Sequence, residues 1–207
     1  MTDWQEWHGR YDDADSSLSR RLLVVQRRLD ELLRGASHVR RVLSLCAGDA
    51  RDILPVLARQ SPGQRPTVTL VEIDPMLSAA ARRRAADSGV VVNTIVGDAG
   101  LAATWHDVVP VDLLVLCGIF GNIGAEDIRA TINAAPALLT RGGTVLWTRG
   151  YFTDEDLRPR IRQWFAEAGF VEIAFDSEPV GYGVGVSRLA VEAPVTRVPD
   201  RLFSFVR

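Results

Sequence analysis

The sequence contains no lysine, and all 24 basic residues among its 207 are arginine. A chain without lysine cannot form the Schiff base that pyridoxal-phosphate enzymes use, because that bond needs an ε-amino group. It also cannot build a Walker-type phosphate loop, whose lysine reaches the phosphates of the bound nucleotide. Two common classes of enzyme are therefore excluded.

Cysteine is scarce as well, since Cys46 and Cys117 are the only two. Two isolated cysteines do not make a zinc site, and their places at the ends of apolar segments are typical of a reducing compartment. The chain also lacks any apolar run near the roughly 18 residues of a membrane span, and its first residues lack the pattern of a secretory signal. We therefore expect a cytoplasmic protein with no membrane partner.

Neither sign of charge is in large excess in this chain. The 24 arginines are balanced by 26 acidic residues, which leaves a formal net charge of -2 and no basic stripe to favour nucleic acid. Hydrophobic residues make up 47% and charged residues 24%, which is typical of a globular domain large enough to bury a substantial core. A small molecule is therefore the expected partner.

Residues 1–38 are expected to form a helical segment ahead of a main domain at 39–207. Three aromatic side chains and a histidine cluster at its start: Trp4, Trp7, His8 and Tyr11. Apolar residues then recur at helical spacing, and the arginines at positions 20, 21, 27 and 28 are expected to face solvent. We interpret the segment as a lid over a pocket, with a helix packed against the sheet edge as the alternative.

From Val42 onward, predicted strands and helices alternate along the chain. Strands are expected at 42–45, 67–73, 90–96, 111–116 and 144–148, and helices at 52–59, 76–86, 125–139 and 153–168. Helical crossovers between strands imply a parallel sheet with helices on both faces. The segments 170–175 and 184–191 have no helix between them, so they are expected to form an antiparallel hairpin. The pattern predicts an α/β fold with a mostly parallel seven-stranded sheet.

Small residues follow the first predicted strand: Cys46, Ala47, Gly48, Asp49 and Ala50. Such a turn lets backbone N–H groups approach a ligand closely, and the helix that follows adds a dipole favourable to an anionic group. The sequence therefore predicts a cofactor-binding turn at this strand end.

Acidic residues stand at the ends of the next two strands, where ligands bind in open α/β sheets. Glu72, 24 residues after Gly48, is placed to accept hydrogen bonds from both hydroxyls of an adenosine ribose. Asp98 can accept from an adenine amino group while the Ala99 N–H donates to the ring. The competing interpretations are a solvated acid at position 72 and a helix N-cap at position 98.

The order of these elements over residues 40 to 193 resembles the class I S-adenosylmethionine-dependent methyltransferases. The matching segments are Cys46–Ala50, Leu70–Pro75, Val96–Ala99 and Asp112–Gly118. The resemblance implies a Rossmann-like fold, S-adenosylmethionine as the cofactor, and methyl transfer to a small-molecule acceptor. It assigns cofactor contacts to Cys46, Ala47, Gly48, Asp49, Glu72, Ile73, Asp98, Ala99, Cys117 and Gly118.

The first turn departs from the family pattern. Cys46, Gly48 and Ala50 stand where the family usually has Gly-x-Gly-x-Gly, and Ser44 stands where it often has an acid. A nicotinamide-dependent oxidoreductase is one alternative, but its third glycine would fall on Arg51, which is too large for close helix–strand packing. A non-catalytic domain that keeps the pocket for ligand binding is the other.

Methyl transfer mainly requires that the acceptor be positioned, but a neutral hydroxyl or amine also requires a base. Candidate catalytic residues are His8 and Tyr11 in the N-terminal segment and His106 after the third strand, with Asp12 as a further candidate. Arg149 and Tyr151, after the fifth strand, are candidates to bind a carboxylate on the acceptor.

Overall fold

The structure is a computed structural model that describes residues 13, 16–34, 39–151, 156–190 and 197–206. Its helices are α1 (Ser17–Arg34), α2 (Leu54–Ala58), α3 (Pro75–Asp87), α4 (Ala125–Leu138) and α5 (Arg158–Glu167). Its strands are β1 (Arg41–Leu45), β2 (Thr67–Glu72), β3 (Asn93–Val96), β4 (Val111–Leu116), β5 (Leu139–Tyr151), β6 (Phe170–Ser177) and β7 (Gly181–Leu189). Short 3-10 turns lie at Pro62–Gln64 and Ala102–Thr104.

The seven strands form one sheet in the order β3-β2-β1-β4-β5-β7-β6. Strands β1 to β5 pair in parallel, and β7 pairs antiparallel with both β5 and β6. The predicted Rossmann-like α/β fold with its C-terminal antiparallel hairpin is confirmed. The chain reverses its direction of travel between β1 and β4, so a crevice opens at their carboxyl ends.

One apolar layer covers each face of the sheet, so β1 and β4 are buried on both faces. In β4, Leu114 and Leu116 join one core with residues of α4 and α5. Leu113 and Val115 point to the other side and join a second core with residues of α1, α2 and α3. This arrangement explains why the central strands are nearly continuous runs of Leu and Val.

Stacked aromatic rings fill the first core beneath β5. The Trp147 ring stacks on Phe165 with centroids 5.6 Å apart, and Phe175 and Phe120 lie 5.8 and 6.1 Å from it. Gly185 faces Trp147 across the β5–β7 pair, where a Cβ would lie 2.1 Å from the ring. Glycine at this position is therefore what allows the indole to lie flat against β7.

Helix α1 packs against β7 and α2. The prediction that its arginines face solvent holds only in part, because the side chains of Arg20 and Arg27 are 46% and 54% exposed and that of Arg28 is 21% exposed. Arg20 pairs with Glu178, while Arg27 and Arg28 both pair with Asp176. Arg21 is buried. The hairpin carboxylates explain the difference, because they come from sequence positions about 150 residues away.

Some element boundaries differ from the prediction. Strand β3 begins at Asn93 rather than at position 90, and β5 extends from Leu139 to Tyr151 because it pairs with β7 along its carboxyl half. Helix α5 begins at Arg158, where a proline at the next position favours a helix start. The predicted cap at Thr153 lies outside the described residues, as do Trp4, Trp7, His8, Tyr11 and Asp12.

Residues 197–206, which we call the C-terminal segment, return to the sheet end after β7. Antiparallel bridges join Arg201 to Leu101 and Phe205 to Ile123. Leu202 and Phe203 are each 1% exposed and belong to the core beneath β4. In the described part of the β3–β4 connection, a 3-10 turn is the only helical element. The C-terminal segment therefore covers a part of the sheet that a crossover helix usually covers.

Candidate functional site

The turn after β1 repeats one unusual backbone conformation at every second residue. Cys46, Gly48 and Ala50 have φ angles of 53°, 57° and 55°, and they are the three small residues whose spacing the sequence singled out. The left-handed conformation costs an L-residue about 1–2 kcal/mol, and strained backbone of this kind is found at ligand sites. The backbone N–H groups of Ala47, Gly48 and Ala50 are bonded within the protein, to the Val71 carbonyl, the Glu72 carboxylate and the Ala47 carbonyl, which fixes the shape of the turn.

Glu72 closes this turn from the end of β2. Its Oε2 accepts the N–H of Gly48 at 2.8 Å and its Oε1 accepts the N–H of Asp74 at 3.0 Å. The residue is only 8% exposed, and no arginine of the described chain forms an ion pair with it. A carboxylate offers about four acceptor positions. Glu72 thus retains capacity for two further donors, as a ribose diol would supply.

The side chain of Asp49 turns toward α3 instead of toward the crevice. Its carboxylate accepts from Arg51 at 2.7 Å and from Arg84 at 3.1 Å. These ion pairs stabilise the turn and hold the Arg51 side chain against it. The Asp49 carboxylate is therefore engaged by two arginines, and the cofactor contact predicted for this residue stays a prediction.

Cys46 is affected by both acidic residues that the sequence assigned to ribose and adenine. Burial raises the pKa of the Cys46 thiol, and the charges of Glu72 and Asp98 raise it further. The thiol is therefore kept neutral.

Asp98 is held by two donors at the end of β3. Its Oδ1 accepts the N–H of Gly100 at 2.8 Å, and its Oδ2 accepts from Nη1 of Arg201 at 3.0 Å. The first bond is a local turn cap, whereas the N-cap of the 3-10 turn that follows is Leu101. Each oxygen of Asp98 still has room for one more donor.

Exposed apolar side chains surround these carboxylates. Ile73 and Met76, which flank the end of β2, are each 63% exposed, and Val96 at the end of β3 is 50% exposed. Leu101 and Phe205 are exposed nearby on the bridged segments. Apolar surface with a few convergent polar groups is typical of a site for a flat, polar-edged ligand such as adenine.

The ends of β4 and β5 form the other side of the crevice. The N–H of Gly118 donates to Oγ1 of Thr148 at 2.9 Å, and the amide of Asn122 donates to the Gly118 carbonyl at 2.7 Å. Gly118 has φ +79°, which favours glycine there. Burial raises the pKa of the Cys117 thiol, and the Asp52 charge adds to that rise. Cys117 is therefore no thiolate nucleophile.

Asp52 is a titratable residue at this site that the sequence reasoning did not select as a base. Burial raises the pKa of its carboxyl to about 6, although the N–H of Ile53 at 2.8 Å and the charge of Arg21 lower it. Its charge in turn raises the pKa of Cys117, the residue that follows β4. An acid in the first turn after a cofactor loop was the signal that could have indicated it.

The structure places the other candidate catalytic residues differently. The ring of His106 is on the surface, with Nδ1 3.1 Å from the Ala103 carbonyl and Nε2 3.0 Å from Asp107. Arg149 donates to the Phe120 carbonyl at 2.8 Å, and the Tyr151 ring lies beneath the guanidinium of Arg158. His8 and Tyr11 fall outside the described residues, so their roles stay predictions.

No group of three His, Cys, Asp or Glu side chains among the described residues could hold a metal ion. No helix in the same residues is long and apolar enough to cross a membrane.

No family model and no curated protein sequence matches the chain. It is similar in structure to an O-methyltransferase family protein from Burkholderia thailandensis, with a TM-score of 0.64 and 17% identity over 83% of this chain and 57% of that one. It is also similar to magnesium protoporphyrin IX methyltransferase from Synechocystis PCC 6803 with bound SAM, with a TM-score of 0.65 and 14% identity over 91% and 92% of the two chains. The fold is that of the class I methyltransferases.

A third methyltransferase structure, the putative methyltransferase SMU.776 complexed with SAH, has a TM-score of 0.61 and 11% identity over 79% of this chain and 49% of that one. The likeness to these proteins is one of fold. This chain spans little more than half of the Burkholderia protein, at 57% of its length. What the methyltransferase fold does in this chain must therefore be argued from its own side chains.

Proposed function

We propose that this protein binds S-adenosylmethionine and transfers its methyl group to a small-molecule acceptor. The observation that carries the proposal is the hydrogen bond from the Gly48 N–H to the buried Glu72 carboxylate. A buried carboxylate, held by backbone N–H groups and with acceptor capacity to spare, stands at the switch point beside a left-handed turn. The fold shared with methyltransferases, two of them with SAM or SAH bound, supports the same function.

The residues present fit an adenosyl sulfonium along the tops of β1, β2 and β3. Glu72 would hold the ribose, the backbone around Cys46 and Gly48 would line the methionine end, and Ile73 would cover one face of the adenine. Asp98 and the Ala99 N–H would meet the edge of the base. Glu72 and Asp98 each have acceptor positions left for these contacts, and the Ile73 side chain is exposed.

When bound, S-adenosylmethionine supplies a methyl group on a positively charged sulfur, and the transfer is an in-line displacement that depends on positioning. The turn after β4 at Gly118, whose N–H is held by the buried hydroxyl of Thr148, would form the wall against which an acceptor is oriented. Asp52, whose pKa is raised to about 6 by burial, would be a candidate to take a proton from a neutral acceptor near pH 7. His8 and Tyr11 remain candidates for the same role.

Calorimetry with S-adenosylhomocysteine tests the proposal directly. The substitution Glu72→Gln keeps the shape of the side chain but removes its charge, so binding is expected to weaken about 30-fold, or about 2 kcal/mol. Glu172→Gln is the matched control, because Glu172 lies on β6 and pairs there with Arg162. Wild-type protein that does not bind the ligand, or equal affinity of the Glu72→Gln variant, would contradict the proposal.

The two alternatives predict different results in the same kind of experiment. An oxidoreductase would bind a nicotinamide dinucleotide in place of S-adenosylhomocysteine, but the Arg51 side chain paired with Asp49 occupies the turn where that family needs glycine. A non-catalytic domain would bind S-adenosylmethionine and transfer no methyl group. A screen of hydroxyl, amine and carboxylate acceptors, read by mass spectrometry for the added methyl group, separates the second case from an enzyme.

A further inference from the structure

The C-terminal segment bridges the two sides of the crevice at its adenine end. On the β3 side, the N–H of Leu202 donates to the Gly100 carbonyl at 2.7 Å, and the N–H of Ala102 donates to the Asp200 carbonyl at 2.9 Å. On the β4 side, the N–H of Val206 donates to the Asn122 carbonyl at 2.9 Å. The segment therefore ties the turn after β3 to the turn after β4.

The segment approaches the β3 turn too closely for any side chain at Gly100. A Cβ on that residue would lie 2.3 Å from the carbonyl oxygen of Phe203. Trp105, which is 1% exposed, supports the same turn from beneath by donating to the Ala99 carbonyl at 2.9 Å. The position of Asp98 and Ala99 is thus set partly by residues about 100 positions later in the chain.

Arg201 makes the contact that reaches the site itself. Its Nη1 donates to Oδ2 of Asp98 at 3.0 Å and to the Phe203 carbonyl at 3.3 Å. The two side chains of the ion pair are 45% and 32% exposed, so the pair adds little to stability. Its effect is instead to fix the orientation of the Asp98 carboxylate, because Arg201 donates to one oxygen and the Gly100 N–H donates to the other.

We propose that Arg201 is a positioning residue of the cofactor site, which holds the Asp98 carboxylate in place to accept the amino group of the adenine. The inference rests on the proposed function. Because each carboxylate oxygen can accept from two donors, Arg201 orients Asp98 without using up its acceptor capacity. The C-terminal segment is thus a part of the adenine subsite as well as a cover for the sheet.

The experiment compares two ligands that differ at one group. S-Inosylhomocysteine carries a carbonyl oxygen where S-adenosylhomocysteine carries the adenine amino group. Arg201→Gln is expected to weaken S-adenosylhomocysteine binding about fivefold and to leave S-inosylhomocysteine binding unchanged, because only the first ligand has the donor that Asp98 accepts. Arg201→Lys is expected to restore part of the discrimination. Arg197→Gln, an exposed arginine of the same segment, is the control.

Each outcome decides the inference. A loss confined to the adenine ligand supports it, and an equal loss for both ligands overturns it, because that result would mean a general structural role. Unchanged binding of S-adenosylhomocysteine by Arg201→Gln also overturns it. Tighter binding overturns it as well, because Arg201 would then compete with the adenine for the Asp98 carboxylate. Wild-type protein that binds neither ligand overturns the proposed function, and this inference with it.

Discussion

The two halves of the sheet on either side of the switch point are built in different ways. In the β3-β2-β1 half, the strand ends carry a left-handed turn, carboxylates held by backbone N–H groups, and apolar side chains such as Ile73 left exposed. In the β5-β7-β6 half, stacked rings fill the core, and Arg158 is buried with Asp156 and three carbonyl groups as partners.

This contrast separates the residues that we expect to bind a ligand from those that we expect to stabilise the fold. A site must keep polar groups and apolar surface available to a ligand, so residues around it gain little from packing in the free protein. Away from the end of β5, the side chains of the hairpin half contact one another instead. We therefore expect substitutions in the hairpin half to change unfolding, and substitutions at the turn half to change ligand affinity.

The largest effect is expected for Trp147→Ala, which removes the ring at the centre of the aromatic cluster. Truncation of a fully buried Trp typically reduces the free energy of unfolding by about 3–5 kcal/mol. Urea unfolding followed by circular dichroism measures it. A loss below about 1 kcal/mol would contradict the assignment of stability to this half.

Arg158→Met tests the buried arginine of the same half. The guanidinium binds Asp156 with two nitrogens and also bonds the carbonyls of Glu178, Pro179 and Tyr182. Its removal deprives these groups of a donor, although the Tyr182 carbonyl still accepts the Glu178 N–H and Asp156 still accepts the backbone N–H of position 158. We expect a loss of about 3 kcal/mol in urea unfolding. Arg160→Met, at a surface position over the Trp164 ring, is the control and should cost less than about 1 kcal/mol.

Asp52→Asn, a substitution in the turn after β1, tests how the free energy of unfolding depends on pH. Because the pKa of Asp52 is raised to about 6, the native state holds its proton more tightly than the unfolded chain does. The resulting stabilisation is complete below the unfolded pKa near 4 and is lost as pH rises through about 6. Between pH 4 and pH 7, the wild type should therefore lose about 2–3 kcal/mol relative to the variant in urea unfolding. A difference that stays constant with pH would disprove the raised pKa.

The smallest effect on stability is expected for Ile73→Ala. The side chain is 63% exposed, so the free energy of unfolding should change by less than about 0.5 kcal/mol. If the adenine covers it, S-adenosylhomocysteine affinity should fall about fivefold, since burial of part of an Ile side chain contributes about 1 kcal/mol. Calorimetry measures the affinity, and a fall in stability without a fall in affinity would reverse the comparison.

The parts of the site predicted from sequence are those formed by residues close together in the chain. The turn between Cys46 and Ala50 could be predicted because its small residues recur at every second position, and the left-handed backbone conformations recur at the same positions. Glu72 could be read because the end of a parallel strand has a known place in the sheet. The predicted helix at 76–86 agrees with α3 for the same reason, since local periodicity and the cap at Asp74 define it.

The parts that were missed depend on contacts between distant positions. Arg201 lies 103 residues from Asp98, and no local pattern joins them. The arginines of α1 read as a solvated face until the hairpin brought Asp176 and Glu178 beside them. The pKa of Asp52 likewise follows from burial among elements that the sequence does not order in space.

The sequence alone determined the alternation of strands and helices, the parallel sheet with its reversed hairpin, and the acidic residues at the ends of β2 and β3, because periodicity and turn chemistry act over a few residues. Tertiary structure alone decided which charges meet, which rings stack, and that the C-terminal segment joins the turn after β3 to the turn after β4. Such contacts form between residues far apart in the chain, and their energies depend on burial and distance that only the folded packing provides.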